Sequence, residues 1–312
     1  MTPPLDVIIV NWNAGDQLCA CVASVVIARH HTLELRRVVV VDNASTDGSA
    51  NGLGTPTLPL TIIRNVDNIG FAKACNQGAA GSKSDYLLFL NPDTRLLADS
   101  LVKPIDFMEQ PGNGKVGICG IQLADENGKV NPTCARFPTP GRYLAKIFGL
   151  DRLFPAVFPP EFMTEWKHAD NRAVDQVMGA FFLVRRSLFE RLGGFDERFF
   201  VYFEDADFSY RAHKAGWSSY YLANAHVYHR GRGTSEQIKG TRLFYSLRSR
   251  LQYAFKHFGR LAATAVALGT LLLEPIARLA LSVARGSGSE AMATLVGYTK
   301  LWCAIPQLVR YK

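Results

Sequence analysis

The first half of the chain alternates short, unbroken apolar runs with stretches of helical spacing. Residues 6–11 (DVIIVN), 37–42 (RVVVVD), 60–65 (LTIIRN) and 85–90 (DYLLFL) each read as a strand. Between them, 17–29 places Leu18, Val22 and Val25 on one helical face, 70–81 is a helix of small residues, and 97–109 is helical again. Strands apolar on both faces, alternating with helices over short connections, predict an α/β domain with a mostly parallel sheet covered on each side. The pattern breaks over 131–173, where six prolines and scattered aromatics predict a long irregular excursion. It resumes with a strand pair or one long strand at 174–184 and a short helix near 187–192. A helix over 204–215 ends at Gly216, and a strand follows over 218–228. Beyond Gly240 the chain reads as helical.

Ligands of such sheets bind outside the carboxyl ends of the strands. Those ends are Asn11-Trp12-Asn13, the stretch from Asp42 to Gly48, the stretch from Asn65 to Gly70, and Asn91-Pro92-Asp93-Thr94. Each alone is ordinary turn chemistry. Four polar ends at one edge of one sheet predict a polar ligand.

Composition refines this picture in one respect. The 312 residues are 48% hydrophobic and 20% charged, as in a packed globular protein, and suffice for one large domain or two modest ones. The net charge of +8 is unevenly spread. Residues 228–312 hold 13 basic and three acidic side chains, a net of +10, while the rest holds 22 and 24, a net of −2. The six cysteines form no C-x-x-C pair, which predicts buried free thiols in a reducing compartment and argues against a zinc site. The amino-terminal residues lack the basic region and the cleavage site of a signal peptide, so none is expected. The uncharged run 261–273 is shorter than the roughly 20 residues of a membrane span, and Glu274, Pro275 and Arg278 follow it, so an interfacial or core helix is expected.

Four places could hold chemistry. Asn91-Pro92-Asp93 reads locally as a turn or helix cap, but a carboxylate fixed directly after an inner strand also suits a hard divalent cation. Phe203-Glu204-Asp205-Ala206-Asp207 follows a run of aromatics. Acids at a helix start favour the dipole, and Asp207 can pair with Arg211 one turn on. A carboxylate beside apolar walls becomes a better base, which makes Glu204 or Asp205 a candidate. His226 and His229 lie at a strand end ahead of Arg230-Gly231-Arg232-Gly233, where imidazole suits a metal and arginine with exposed backbone amides suits phosphate. The small-residue helix after Gly70 allows close approach of backbone to ligand or sheet, and matches neither the dinucleotide nor the P-loop fingerprint.

Taken in order, these pieces resemble the family-2 glycosyltransferases, and most of all the bacterial rhamnosyltransferase-like members. The resemblance rests on VIIVNWN at 7–13, VVVVDNASTDGS at 38–49, NIGFAKACNQG at 68–78, YLLFLNPDT at 86–94, the long stretch 179–217 and HRGRGTS at 229–235. It implies a GT-A fold over residues 1–240, with a donor half 1–120 and an acceptor half 121–240, and a basic helical extension over 241–312. It also implies an inverting transfer from a dTDP- or UDP-sugar, L-rhamnose by first expectation, to a saccharide or polyprenyl-diphosphate-linked acceptor in cell-surface polysaccharide synthesis. Carried over, Asn11 and Asp42 surround the nucleoside, and Gly70 and Asn76 line the donor. Asp93 is the metal carboxylate of a D-x-D motif whose first Asp is here Asn91. Asp205 is the catalytic base with Glu204 beside it, and His229 completes a Mg or Mn site. Arg232 would stabilise charge on the departing diphosphate.

Basic and aromatic residues from Tyr245 to Arg260 fit the anionic inner face of the cytoplasmic membrane, which would make the enzyme cytoplasmic and peripheral. A helical subdomain packed on the core, or a dimer interface, accounts for them equally. Nucleic acid is not expected, since no recognised module accompanies the charge. Two other functions compete. A sugar nucleotidyltransferase would carry a base in its first loop, and residues 11–15 (NWNAG) have none. A non-catalytic membrane-associated scaffold would not need Asp93 and Asp205.

Overall fold

The computed structural model describes residues 3–54, 57–231 and 239–310. The chain divides into two compact units. Unit 1 comprises Met1–Phe137, Phe162–Glu197 and Glu204–Thr234; unit 2 comprises Pro138–Glu161, Arg198–Phe203 and Ser235–Lys312.

Unit 1 is built on a sheet whose first strands are the apolar runs: β1 (Pro4–Asn11), β2 (Glu34–Asp42), β3 (Leu60–Arg64) and β4 (Tyr86–Leu90). Helices α1 (Asp16–Ile27) and α2 (Phe71–Ala79) connect them. After β5 (Thr94–Leu96) and α3 (Val102–Glu109) come β6 (Val116–Ala124) and the short β7 (Cys134–Ala135). In unit 2, the next helices are α4 (Pro140–Ile147) and α5 (Leu150–Leu153). Unit 1 resumes with β8 (Arg172–Val174), β9 (Gln176–Val177), β10 (Phe181–Arg185), α6 (Arg186–Arg191), α7 (Glu204–Lys214) and β11 (Ser218–His229). The sheet order is β3-β2-β1-β4-β10-β6-β11-β5, with β8 on β11. The β1, β2, β3 and β4 pairings and β6 with β11 are parallel; β10 runs antiparallel to both its neighbours.

Strand alternation sorts the core into two layers. Leu5, Val7 and Ile9 point toward α1 and α3, while Ile8 and Val10 point toward α2 and a phenylalanine cluster of Phe89, Phe182, Phe189, Phe195 and Phe208. The small residues of α2 serve the sheet, because a Cβ on Gly78 would stand 2.6 Å from Ile8 Cγ2.

Two expectations change, and one strand is new. The central strand β6 has no counterpart in the sequence reading, and it contains Gly117 and Gly120. Both are required by packing, since a Cβ would meet Leu188 at 2.3 Å and Val177 at 2.7 Å. The excursion 131–173 is not irregular throughout, because Pro140 opens α4 behind the cap Thr139, where a missing N–H costs nothing. Cys21, Cys75, Cys119 and Cys134 are buried free thiols, and burial pushes Cys21 and Cys134 up to about 12, but Cys19 and Cys303 fall on outer helix faces and are exposed.

Unit 2 adds α8 (Lys239–His257), α9 (Arg260–Leu268), α10 (Glu274–Ala284) and α11 (Gly288–Arg310) to α4 and α5. The apolar positions of α8 divide, with Phe255 exposed and others turned inward. Leu247, Leu251 and Tyr253 are buried, and Tyr245 stacks on Phe200 at 4.8 Å. Glu274 and Arg278 do not end the apolar helix. A π-helical turn, Gly269–Leu273, joins α9 and α10 into one rod, Arg260–Ala284. Pro275 offers no N–H to the Leu271 carbonyl four residues back, and the Trp302 indole donates to that oxygen instead, at 3.3 Å. Glu274 is buried and accepts from Arg250 at 2.5 Å and Arg278 at 2.9 Å.

Candidate active site

Strand register gathers the candidate residues at one sheet edge. Asn11 and Asp42 are direct partners at the ends of β1 and β2, and β4 ends two residues short of that level, with Leu90 opposite Ile9. Because β10 runs backwards, it begins at this edge, with Phe181 opposite Leu90.

At the β1–β2 end, the buried Asn11 amide donates to Asp42 Oδ1 at 3.1 Å and lies 3.0 and 2.9 Å from the Ser45 and Ser49 hydroxyls. Arg64 meets the other Asp42 oxygen at 3.4 Å. Asn11 Oδ1 is a buried acceptor without a partner among the described residues. The loops that follow are tied together: Asn13 Oδ1 accepts from the Thr46 amide at 2.7 Å, and Asp47 accepts from the Gly15 amide at 2.8 Å. Asn13 and Ala44 hold φ of 51° and 61°, left-handed conformations that the loop bonds must enforce.

Gly70 caps α2 with φ 89° and ψ 162°, a conformation open essentially to glycine alone. Its surroundings are organised by Asn43, which sequence reasoning passed over. Asn43 Nδ2 donates to Asn68 and to the Gly70 carbonyl, and its Oδ1 accepts from the Ile69 amide and from Asn65. Its position directly after a strand-end Asp was the available signal. Asn76 stands apart from this group. Both ends of its amide bond the Phe195 backbone, at 2.8 and 2.9 Å, so it fastens α2 to the segment before α7.

The turn after β4 brings in Asp93. The Thr94 hydroxyl and amide close it onto the Asn91 carbonyl. Thr94 pairs with His229 across β5 and β11, and His229 Nε2 reaches Asp93 Oδ1 at 3.3 Å. His226 is three residues earlier on the same strand and therefore points to the opposite face; its carbonyl accepts from Ser100. Arg232 and the motif residues after Gly231 lie outside the described residues.

A short chain of backbone bonds links this turn to the acids. The Asn91 amide donates to the Ala180 carbonyl at 3.0 Å, and the adjacent Gly179 amide donates to Asp205 Oδ2 at 2.9 Å. A side chain on Gly179 would press on Asp205 at 3.4 Å. Asp205 is half-buried in the first turn of α7, and its other oxygen accepts from the Ala206 amide. Glu204 differs sharply from it. It is buried, with Oε2 lacking a partner among the described residues. Burial first, and then the Asp205 and Asp207 charges, raise its carboxyl well above the usual range, which favours the neutral acid. Asp207 is structural. It holds Arg211 at 2.8 Å, and Arg211 also bonds the Leu192 and Gly194 carbonyls. Just before α7, Tyr202 and Phe203 hold φ of 67° and 70°, a strained pair immediately ahead of the acids.

Asp93 and His229 offer one oxygen and one nitrogen ligand within reach of each other. No group of three or more His, Cys, Asp or Glu able to hold a metal occurs among the described residues. Two protein ligands fit a hard divalent ion that completes its shell with phosphate and water.

A mixed sheet covered by helices on both faces, with its polar ligand edge at the carboxyl ends of β1, β2 and β4, is the GT-A glycosyltransferase fold. Solved structures agree. The mannosyltransferase PcManGT from Pyrobaculum calidifontis, in complex with GDP-Man and Mn2+, superimposes with a TM-score of 0.57 at 18% identity, over 100% of this chain and 83% of that one. TarS 1-349 of S. aureus superimposes with a TM-score of 0.54 at 14% identity, over 98% and 82%. The chain belongs to glycosyl transferase family 2, which matches residues 6–193; it is a glycosyltransferase. It is similar to the N-acetylglucosaminyl-diphospho-decaprenol L-rhamnosyltransferase of Mycobacterium tuberculosis (strain ATCC 25618 / H37Rv), 29% identical over 245 residues, 73% of this chain and 76% of that protein. It is also similar to Rhamnosyltransferase WbbL of Escherichia coli (strain K12), 29% identical over 171 residues, 54% of this chain and 61% of that protein.

Proposed function

We propose that the chain transfers L-rhamnose from dTDP-rhamnose, with inversion, to a saccharide carried on a polyprenyl diphosphate. The observation that supports this best is the bonded path from Asp205 through Gly179, Ala180 and Asn91 to the turn holding Asp93, with His229 beside it. It ties a base and a metal-type ligand pair to one rigid sheet edge. The names of the relatives favour rhamnose and a lipid-linked acceptor; a UDP-sugar is the second choice of donor.

Asn11 and Asp42 hold the nucleoside, and Gly70 keeps the backbone open on the donor side. A divalent ion on Asp93 and His229 would supply charge stabilisation to the nucleoside diphosphate as it departs. Asp205 takes the proton from the acceptor hydroxyl while that oxygen bonds the anomeric carbon on the face opposite the diphosphate, whose bond to the carbon breaks. Glu204, buried and favoured as the neutral acid, stands beside Asp205. Arg232 is placed by the reading of its motif alone, on the diphosphate. Residues 1–240 carry this chemistry, donor side 1–120 and acceptor side 121–240, at the inner face of the cytoplasmic membrane.

The test is a transfer assay with dTDP-rhamnose, UDP-sugars and a short-chain polyprenyl-diphosphate N-acetylglucosamine. The expected result is dTDP release that needs the acceptor, with the product anomer inverted by NMR. Retention of configuration, or no transfer from any of these donors, would sink the proposal.

A further inference from the structure

The outer face of the α9–α10 rod is apolar from end to end. Leu261, Leu268, Leu272, Ile276 and Val283 recur at helical spacing on it, with exposures from 53% to 90%. A helix at an aqueous surface ordinarily puts charge on such a face. The charged side chains between Arg260 and Arg285 are Glu274 and Arg278, and they pair with each other while Glu274 also holds Arg250. The opposite face, through Ala263, Val266, Thr270 and Ser282, is buried within unit 2. The same unit exposes a second apolar group, Phe148, Phe154 and Val157, just after α4, whose Ile147 lies against Gly269 of the rod.

We propose that this face of the rod lies in the plane of an anionic lipid bilayer, seated in the headgroup and upper acyl region. Charge identifies the occupant. Residues 239–312 hold 11 basic and two acidic side chains, a net of +9, and Arg260 and Arg285 bracket the apolar stripe at its two ends. Basic residues around an exposed apolar face match anionic headgroups above acyl chains. A second copy of the chain would set one strongly basic surface against another. The rod is long and apolar enough to span by length and composition. However, one side of it is packed in the unit around an ion-paired Glu274, so it lies flat. The contact therefore centres on α9 and α10, whose stripe is continuous, whereas α8 exposes the single aromatic Phe255 and buries Tyr253. It does not depend on which sugar the enzyme moves.

The test uses the full chain sedimented with vesicles of phosphatidylcholine alone, or mixed equally with phosphatidylglycerol. Wild type is expected to pellet with the anionic vesicles and to be released by alkaline carbonate. The triple variant Leu268→Glu, Leu272→Glu, Ile276→Glu should lose binding by about tenfold or more, with circular dichroism and the melting temperature unchanged, since all three positions are exposed. Arg260→Glu with Arg285→Glu should weaken binding and its dependence on phosphatidylglycerol. The proposal is overturned if wild type stays in solution with anionic vesicles, or if the folded triple variant binds equally. Carbonate-resistant insertion would also overturn it, as would a wild-type dimer that the triple variant converts to monomer without any vesicle binding.

Discussion

Asp205→Asn should lower turnover by about 10²–10⁴-fold while leaving nucleotide binding intact. The amide has the shape of the carboxylate and can still accept from the Gly179 backbone N–H at 2.9 Å, so the first turn of α7 keeps its place. What disappears is the acceptor for the proton of the attacking hydroxyl. Glu204 does not substitute, because its side chain is buried and its raised pKa favours the neutral acid. The result expected in steady-state assays is a collapse of kcat with little change in donor affinity by calorimetry. A large loss in Glu204→Gln alongside a mild one in Asp205→Asn would pass the role of base to Glu204.

Glu274→Ala should destabilise unit 2 by about 3–5 kcal/mol. Arg250 is only 5% exposed, and removing Glu274 strands its guanidinium in the interior. Arg278 has surface to turn to; Arg250 has not. Replacing both partners, as Arg250→Met with Glu274→Leu, should recover most of the loss, because two apolar side chains need no counter-charge. The pH dependence follows from the same pair. Burial alone would raise the Glu274 carboxyl, but the Arg250 and Arg278 charges outweigh it and hold it below the usual range. A depressed folded pKa contributes stability above the unfolded value, about 4.5, that is lost as pH falls through the folded one. The gap in melting temperature between wild type and Glu274→Ala should therefore be widest near neutrality and close in acid. An equal gap at every pH would show that lost packing, and not the charge pair, sets the cost.

The strands β1 to β4 were legible because a strand buried on both faces is an unbroken apolar run, and the residues after them could be read as a ligand edge from that alone. Where packing overrode local preference, the reading failed. No strand was read at β6, where Gly117 and Gly120 lower local strand preference and a neighbouring side chain fills each glycine's space. Pro140 looks like an interruption and is a helix start. Asn76 sits in a motif, yet its partner lies 119 residues away at Phe195, a pairing no local pattern encodes. The two histidines were separable in principle, since positions three apart on a strand face opposite ways, but only once β11 is known to run through His229. The apolar face of the rod was masked by Glu274 and Arg278, which read as a stop until Arg250 is seen to neutralise the carboxylate.

The central claim is that Asp93 and His229 build a metal-assisted nucleotide-sugar site at this sheet edge. The measurement that meets it most directly is calorimetric titration of dTDP, UDP and GDP, with and without manganese, into wild type and Asp93→Ala. The account predicts that dTDP binds wild type, that manganese strengthens this binding, and that Asp93→Ala weakens it by about tenfold or more and abolishes the manganese dependence. Binding that ignores both manganese and Asp93, or no binding of any of the three, would contradict it.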